Sequence, residues 1–298
     1  VTLGNDQFDA DFWRRQSVGL RLFDRVEEVL GDRVLECRFL PDRTPQVLLE
    51  QVGPDDVRVI GNLAQGIGLS GEVKVVAAAH GAVSRWQQLA QDLDELRRRS
   101  PGVLLQYPTA SSRFQPEPHR IALTATAEDV AAALHGRYGA AVTLQVGALR
   151  YPPDPAATPL RASFPSLPVM DPGRADIRLQ AELTVTRGAT VRTAVVLTNR
   201  SASPLEVQTN GQLTAQILDP ETGAVAGGFV GAQTLPLIPF TAGPRGGRVE
   251  IPLLVGTASM RPELGYTLPP GRWQLTAPLD LADGTQHRIP ALNFNITD

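Results

Sequence analysis

At 298 residues the chain is long enough for about two domains, each able to bury its own core. A hydrophobic fraction of 42% and a charged fraction of 20% are ordinary for a folded protein, and a net charge of −3 gives no electrostatic footprint for nucleic acid or an anionic membrane. The single cysteine, Cys37, excludes an internal disulfide framework and any zinc site built on cysteines.

Phe8, Phe12, Val18, Leu22, Val26, Val29 and Leu30 recur at near-helical spacing between charged residues, which predicts one long amphipathic helix stopped by Gly31. Two alternating runs follow, Val34–Leu40 and Val47–Val52, joined by "PDRTP", a cluster of turn formers suited to a hairpin. Cys37 lies in the first of these runs, where a buried structural thiol is expected. A third short run, Val57–Ile60, leads into "GIGLSG", residues 66–71.

That stretch has the spacing of a dinucleotide-binding turn. Such a turn works only between a strand and a helix, because the pyrophosphate rests on a helix N-terminus. Here the following segment, "EVKVVAAA", is rich in β-branched residues and reads as strand, and "NLAQ" before Gly66 is no strand end. Asp92 and Asp94, about twenty residues on, fall in a helix. The glycines are expected to serve a tight loop, and no cofactor is expected.

From Glu72 the pattern is regular. The helix "VSRWQQLAQDLDELRRR" carries Trp86, Leu89, Leu93 and Leu96 on one stripe, ends on Arg97, Arg98 and Arg99 and is stopped by "SPG". The strands "VLLQY" and "HRIALTA" come next, separated by the loop "PTASSRFQPEP". A second helix is expected to open at Thr126, with Asp129 in a near match to a capping box, and to close at Gly139. "AVTLQV" completes a β-α-β-β-α-β order over residues 72–147, the ferredoxin-like order.

Seven prolines between Tyr151 and Pro172 forbid helix and central strand, so residues 151–174 read as an extended connector. Its apolar content, Leu160, Phe164, Leu167, Val169 and Met170, suits a path along a domain surface. Beyond Arg174 helical periodicity disappears. Short alternating runs, from "IRLQAELTV" to "HRIPALNFNI", are separated by glycine, proline and asparagine turns, the pattern of an all-β sandwich. The expected fold is therefore an α+β N-terminal domain (1–150) containing a ferredoxin-like unit, a proline-rich connector (151–174) and an immunoglobulin-like β-sandwich (175–298).

Within that sandwich, "VVLTNRSASPLEVQTNGQLTAQILDPETG" followed by "LPPGRWQLTAPLDL" resembles the bacterial immunoglobulin-like domains of the BsuPI-type proteinase-inhibitor family. The shared features are turn chemistry over about residues 175–298, so the resemblance implies fold far more than activity. No family resemblance is found for the first half.

No constellation of catalytic, cofactor-binding or metal-ligating residues emerges. His80, His119, His135 and His287 lack metal-ligand spacing. "GLSGE" lacks the spacing of a nucleophile elbow. The acidic pairs Asp92 with Glu95 and Asp55 with Asp56 fit a solvated face. On a ferredoxin-like sheet the outward positions Lys74, Val76, Ala78, Arg120, Ala122, Thr124, Thr143 and Gln145 include no aromatic residue, which disfavours RNA. That face would need cover from the N-terminal helix or hairpin. Asn199 and Asn295 fit the glycosylation acceptor pattern by chance. "GGFVGAQTLPLIPFTAGPRGG", residues 227–247, reads as an irregular strand and crossover, or as an apolar loop that docks a partner.

No run approaches the ~20 apolar residues of a bilayer span, and the first thirty residues lack the apolar core of a signal peptide. The expectation is a non-enzymatic binding or interaction protein with a protein partner, placed at a bacterial cell envelope by analogy of fold. A proteinase inhibitor or chaperone-like module is one alternative. An enzyme with a site between the domains, using His80 or His119, is the other.

Overall fold

The computed structural model describes residues 10–40, 42–69, 73–108, 118–153, 167–231 and 237–298, with side chains from Gln16 onward. The chain is mixed α and β, with β dominant, and divides into two compact units. The first comprises residues 1–95 and 108–119, the second residues 96–107 and 120–298.

In the first unit, helix α1 (Ala10–Leu30) buries Leu22 and Val26 completely and ends where Gly31 takes φ +52°. Phe8 lies outside the described residues, as does the side chain of Phe12. Strands β1 (Val34–Phe39) and β2 (Pro45–Leu49) form the expected hairpin, pairing from Val34↔Leu49 to Phe39↔Pro45.

The run Val57–Ile60 belongs to a helix, α2 (Pro54–Gly66). Proline opens it at its first turn, where a missing N–H costs nothing. Asp56 accepts from the Gly53 N–H at 2.9 Å. Ile60 and Ala64, one turn apart, are buried. Helix α2 then crosses over to β3 (Lys74–Ala77), which lies parallel to β2 with Val47↔Val75 in register. Leu22, Val26, Val47, Leu49, Ile60 and Ala64 form one core, with Val75 against it. Helix α3 (Ala82–Arg99) buries Trp86, Leu89 and Leu93 as its stripe requires.

The second unit contains β4 (Leu104–Gln106), most of β5 (His119–Leu123), α4 (Glu128–Tyr138), β6 (Val142–Val146) and β7 (Leu149–Tyr151). The strand and helix order over residues 72–147 is as read from the sequence, but the pairing is not ferredoxin-like. Strand β3 joins β1-β2-β3, whereas the other three lie in a separate sheet ordered β4-β5-β6-β7. The edge offered by β2 lies one helical crossover before β3 and takes up its donors and acceptors. The hairpin expected to cover the face of β3 therefore pairs with its edge. The four-stranded sheet, expected within residues 1–150, belongs to the second compact unit.

Thr126 does not cap α4. The N-cap is Ala127, without a side-chain bond. The Thr126 methyl instead sits where a Cβ on Gly188 would come within 2.1 Å of it, a close approach open only to glycine.

The C-terminal half is a β-sandwich. Its strands are β8 (Ala175–Leu179), β9 (Thr184–Thr186), β10 (Thr190–Asn199), β11 (Leu205–Thr209), β12 (Leu213–Thr214), β13 (Gln216–Leu218) and β14 (Val225–Gly228). They continue with β15 (Ile238–Ala242), β16 (Arg248–Gly256), β17 (Ala258–Ser259), β18 (Gly271–Thr276), β19 (Pro278–Leu281), β20 (Gln286–Arg288) and β21 (Leu292–Thr297). Three sheets result: β12-β16-β10-β8, β15-β11-β19-β20 and β17-β14-β13-β18-β21-β9.

Inward residues of all three meet in one cluster that includes Val195, Leu197, Val207, Ile217, Ile251, Leu253, Leu275 and Leu279. Full burial of each aliphatic side chain stabilises by about 1.5–3 kcal/mol. Strand β10 pairs with both β16 and β8, making it an interior strand of its sheet.

Leu160 and Phe164 of the connector lie outside the described residues. Its last part is stitched to the sandwich: Arg288 donates its N–H to the Pro168 carbonyl, and Met170 donates to the Arg288 carbonyl, both at 2.9 Å. Met170 is buried in the core. Of residues 227–247, the described parts include strand at both ends, with Gly227 and Gly228 buried in β14 and Ile238–Ala242 paired to β11.

Candidate functional site

The glycine-rich stretch is the end of a helix, not the start of one. Leu69 donates to the Ala64 carbonyl and Gly68 to that of Gln65, both at 3.0 Å, with Gly68 at φ +75°. This is a Schellman closure, and Leu69 packs on the same core as Ala64. The stretch therefore presents the negative end of the α2 dipole, where a phosphate is repelled. The segment beyond it is strand from Lys74. Ser70, Gly71 and Glu72 lie outside the described residues.

The histidines are dispersed. His80 occupies an exposed turn, and His135 lies in α4 with its ring edge-on to Tyr151 at 5.8 Å. His119 is 8% exposed, 5.2 Å from the Trp86 ring, and its Nδ1 has no hydrogen-bond partner. Burial, with the Arg85 charge second, holds its pKa below the ordinary value. Cys37 is half-buried, and its thiol is pushed up to about 12 by burial and then by Glu27 and Glu36, so it is no nucleophile at neutral pH. Among the described residues no three His, Cys, Asp or Glu side chains gather to hold a metal.

The positions considered for RNA do not share a face. Lys74 and Val76 lie in the three-stranded sheet, Arg120, Ala122, Thr143 and Gln145 in the four-stranded one. Asn199 is fully buried, and its amide donates to the carbonyls of Ser203, Ala242 and Gly243 while its Oδ1 accepts from the Ser201 N–H and hydroxyl. It is a structural corner, and the acceptor pattern there is fortuitous.

Two hollows within the second unit are lined by described residues. One is a crevice of about 390 Å³ lined by Thr126, Glu128, Arg187, Tyr266, Thr267 and Asp298, among others. Arg187 Nε donates to Thr267 at 2.7 Å. Tyr266 stacks on Tyr151 at 6.2 Å and reaches the Arg150 carbonyl at 3.4 Å. Burial, then Glu128 and Tyr151, push the phenol to about 12, which keeps it protonated and unfit as a base.

The larger hollow, about 560 Å³, is an open groove on the sandwich and falls in the size range of small-ligand sites. Strand alternation builds one wall. In β11, Leu205, Val207 and Thr209 turn inward, leaving Gln208 outward. Gln208 lies opposite Asp280 of β19, and Asp280 opposite Gln286 of β20, so three polar side chains form a row across three strands. Gln286 Nε2 donates to Asp280 Oδ1 at 2.7 Å. Pro278 and Arg288 form the next row, and Arg288 Nε holds the Leu167 carbonyl at 3.1 Å.

Asn210, Gln212 and Gln216 supply further carboxamides, and Phe229, Leu237 and Met260 add apolar surface. Sequence reasoning did not find this site, because each residue alone resembles the solvent face of a strand. Glutamine recurring at Gln208, Gln212, Gln216 and Gln286 was the available signal.

No family model matches the chain, and no curated protein matches it. Among solved structures, it is similar to the alkylpurine DNA glycosylase AlkC of Pseudomonas fluorescens bound to DNA containing an abasic site analog. The identity is 14% and the TM-score 0.24, over 42% of this chain and 31% of that one. It is also similar to the secreted serine protease VesC of Vibrio cholerae, at 10% identity and TM-score 0.24, over 42% and 24% of the two chains. The CARDB domain of a Pyrococcus furiosus protein in complex with di-metal ions matches at 8% identity and TM-score 0.22, over 45% and 99%. The chain thus spans about a third and a quarter of the first two proteins. Likeness at these scores lends nothing to function, and the sandwich stands on its own sheet pairings. No described helix is long and apolar enough to cross a membrane.

Proposed function

We propose that this is a non-enzymatic binding protein whose ligand seats in the groove on the sandwich. The observation that carries this reading is the cross-strand row Gln208–Asp280–Gln286, which turns hydrogen-bonding side chains into a hollow of about 560 Å³. Such a lining holds a ligand by donors and acceptors. Among the described residues its charged members are Asp280 and Arg288, engaged by Gln286 and the Leu167 carbonyl.

Likeness of the sandwich to bacterial immunoglobulin-like domains of the BsuPI type, and placement at a bacterial envelope, belong to the same proposal. Trp273 of the Pro-Gly-x-Trp segment supports the likeness, since its indole donates to the Pro269 carbonyl at 3.0 Å from within the core.

A thermal-shift screen against nucleotides, metal ions, peptides and oligosaccharides tests the proposal. A ligand that prefers the folded state at a hundred times its Kd stabilises by about 2.7 kcal/mol. The shift should vanish when the groove is blocked by Gln208→Arg. A shift that survives this substitution, or turnover of the hit compound, would overturn it.

A further inference from the structure

We infer that the ligand of the groove is a neutral oligosaccharide; the inference rests on the groove being the binding site. Gln208, Asn210, Gln212, Gln216 and Gln286 line the hollow, and each carboxamide offers a planar pair of donor and acceptor. Sugar hydroxyls both donate and accept, so every hydroxyl finds a partner on such a lining. A ligand that offers neither donors nor acceptors would cover these groups unmatched, which is a ground for rejection.

The charges point the same way. Asp280 and Arg288 oppose each other in sign, so the described residues of the lining carry no net charge to draw an anion or a cation. Leu167, Phe229 and Leu237 provide apolar surface of the kind that the C–H faces of sugar rings cover.

A peptide is less well served. Peptides commonly bind sandwiches by adding a strand to a free sheet edge. At this groove the outer edge of β20 is already closed by Pro168–Met170, whose backbone exchanges two hydrogen bonds with Arg288. On that margin, recognition falls to side chains.

The test is calorimetry of the full chain with cellohexaose, xylohexaose, maltohexaose, mannohexaose and chitohexaose. At least one should bind, with an affinity unchanged between low and moderate salt. Gln208→Ala combined with Gln286→Ala should weaken it about tenfold or more, one half-buried and one exposed amide being removed without touching the core. An unchanged melting temperature of the unliganded variant shows that it still folds. Absence of binding by all five, or binding that the double variant leaves intact, would overturn the inference. A peptide that binds and is displaced by Gln208→Arg would remove the saccharide and leave the groove standing as the site.

Discussion

Asn199 in the sandwich unit and His119 in the first unit are buried polar groups of opposite kinds. In the sandwich unit the Asn199 amide meets three backbone carbonyls, Thr276 donates to the Ile289 carbonyl at 2.7 Å, and Ser259 to that of Arg261 at 2.9 Å. In the first unit His119 is 8% exposed, and its Nδ1 has no partner. A satisfied polar group locks a turn in place. An unsatisfied one is tolerated only while it stays neutral. Stability should therefore fall when the Asn199 amide is removed, and when His119 is charged.

The largest effect is expected at Asn199. Asn199→Ala leaves the carbonyls of Ser203, Ala242 and Gly243 without that donor, and urea titration should show a loss of roughly 3 kcal/mol. A loss below about 0.5 kcal/mol would mean that the corner is held by its neighbours.

Gly188→Ala should cost somewhat less, about 2 kcal/mol, from positive φ and from collision with the Thr126 methyl. Thr126→Ser in the same chain should recover the collision part and leave the backbone part. Equal costs with and without Thr126→Ser would refute the contact.

The smallest effect is that of pH on His119. Its folded pKa lies below that of the unfolded chain, so the unfolded state binds the proton more readily. The contribution is therefore present above the unfolded value, about 6.5, and is lost as pH falls below it. The urea midpoint should drop between pH 7.5 and 5.5, and His119→Leu should drop less. An equal drop in both would assign the effect to other groups.

What could be read from the sequence was local. The stripe of α3, the alternation of β10 and the pairing of β1 with β2 each depend on residues close together in the chain, and each is found in place. Helix α2 was missed because Val57, Val59 and Ile60, with Arg58 among them, fit helix and strand alike. Pro54 at its start and Asp55 and Asp56 in its first turn were the signals that decide for helix. The pairing of β3 with β2 was not legible, since strand order depends on edges far apart in the chain. The groove was hidden for the same reason. Gln208 and Gln286 lie 78 positions apart and become neighbours of Asp280 only through the registers of β11, β19 and β20.

The strip at Pro168–Met170 has a practical consequence. It acts as a seal on the β20 margin, and it lies inside the proline-dense stretch that looks dispensable. A fragment begun at Arg174 would carry a raw sheet margin into solution and leave vacant the core position of Met170, inviting self-association through that edge. A soluble sandwich fragment should begin no later than Leu167.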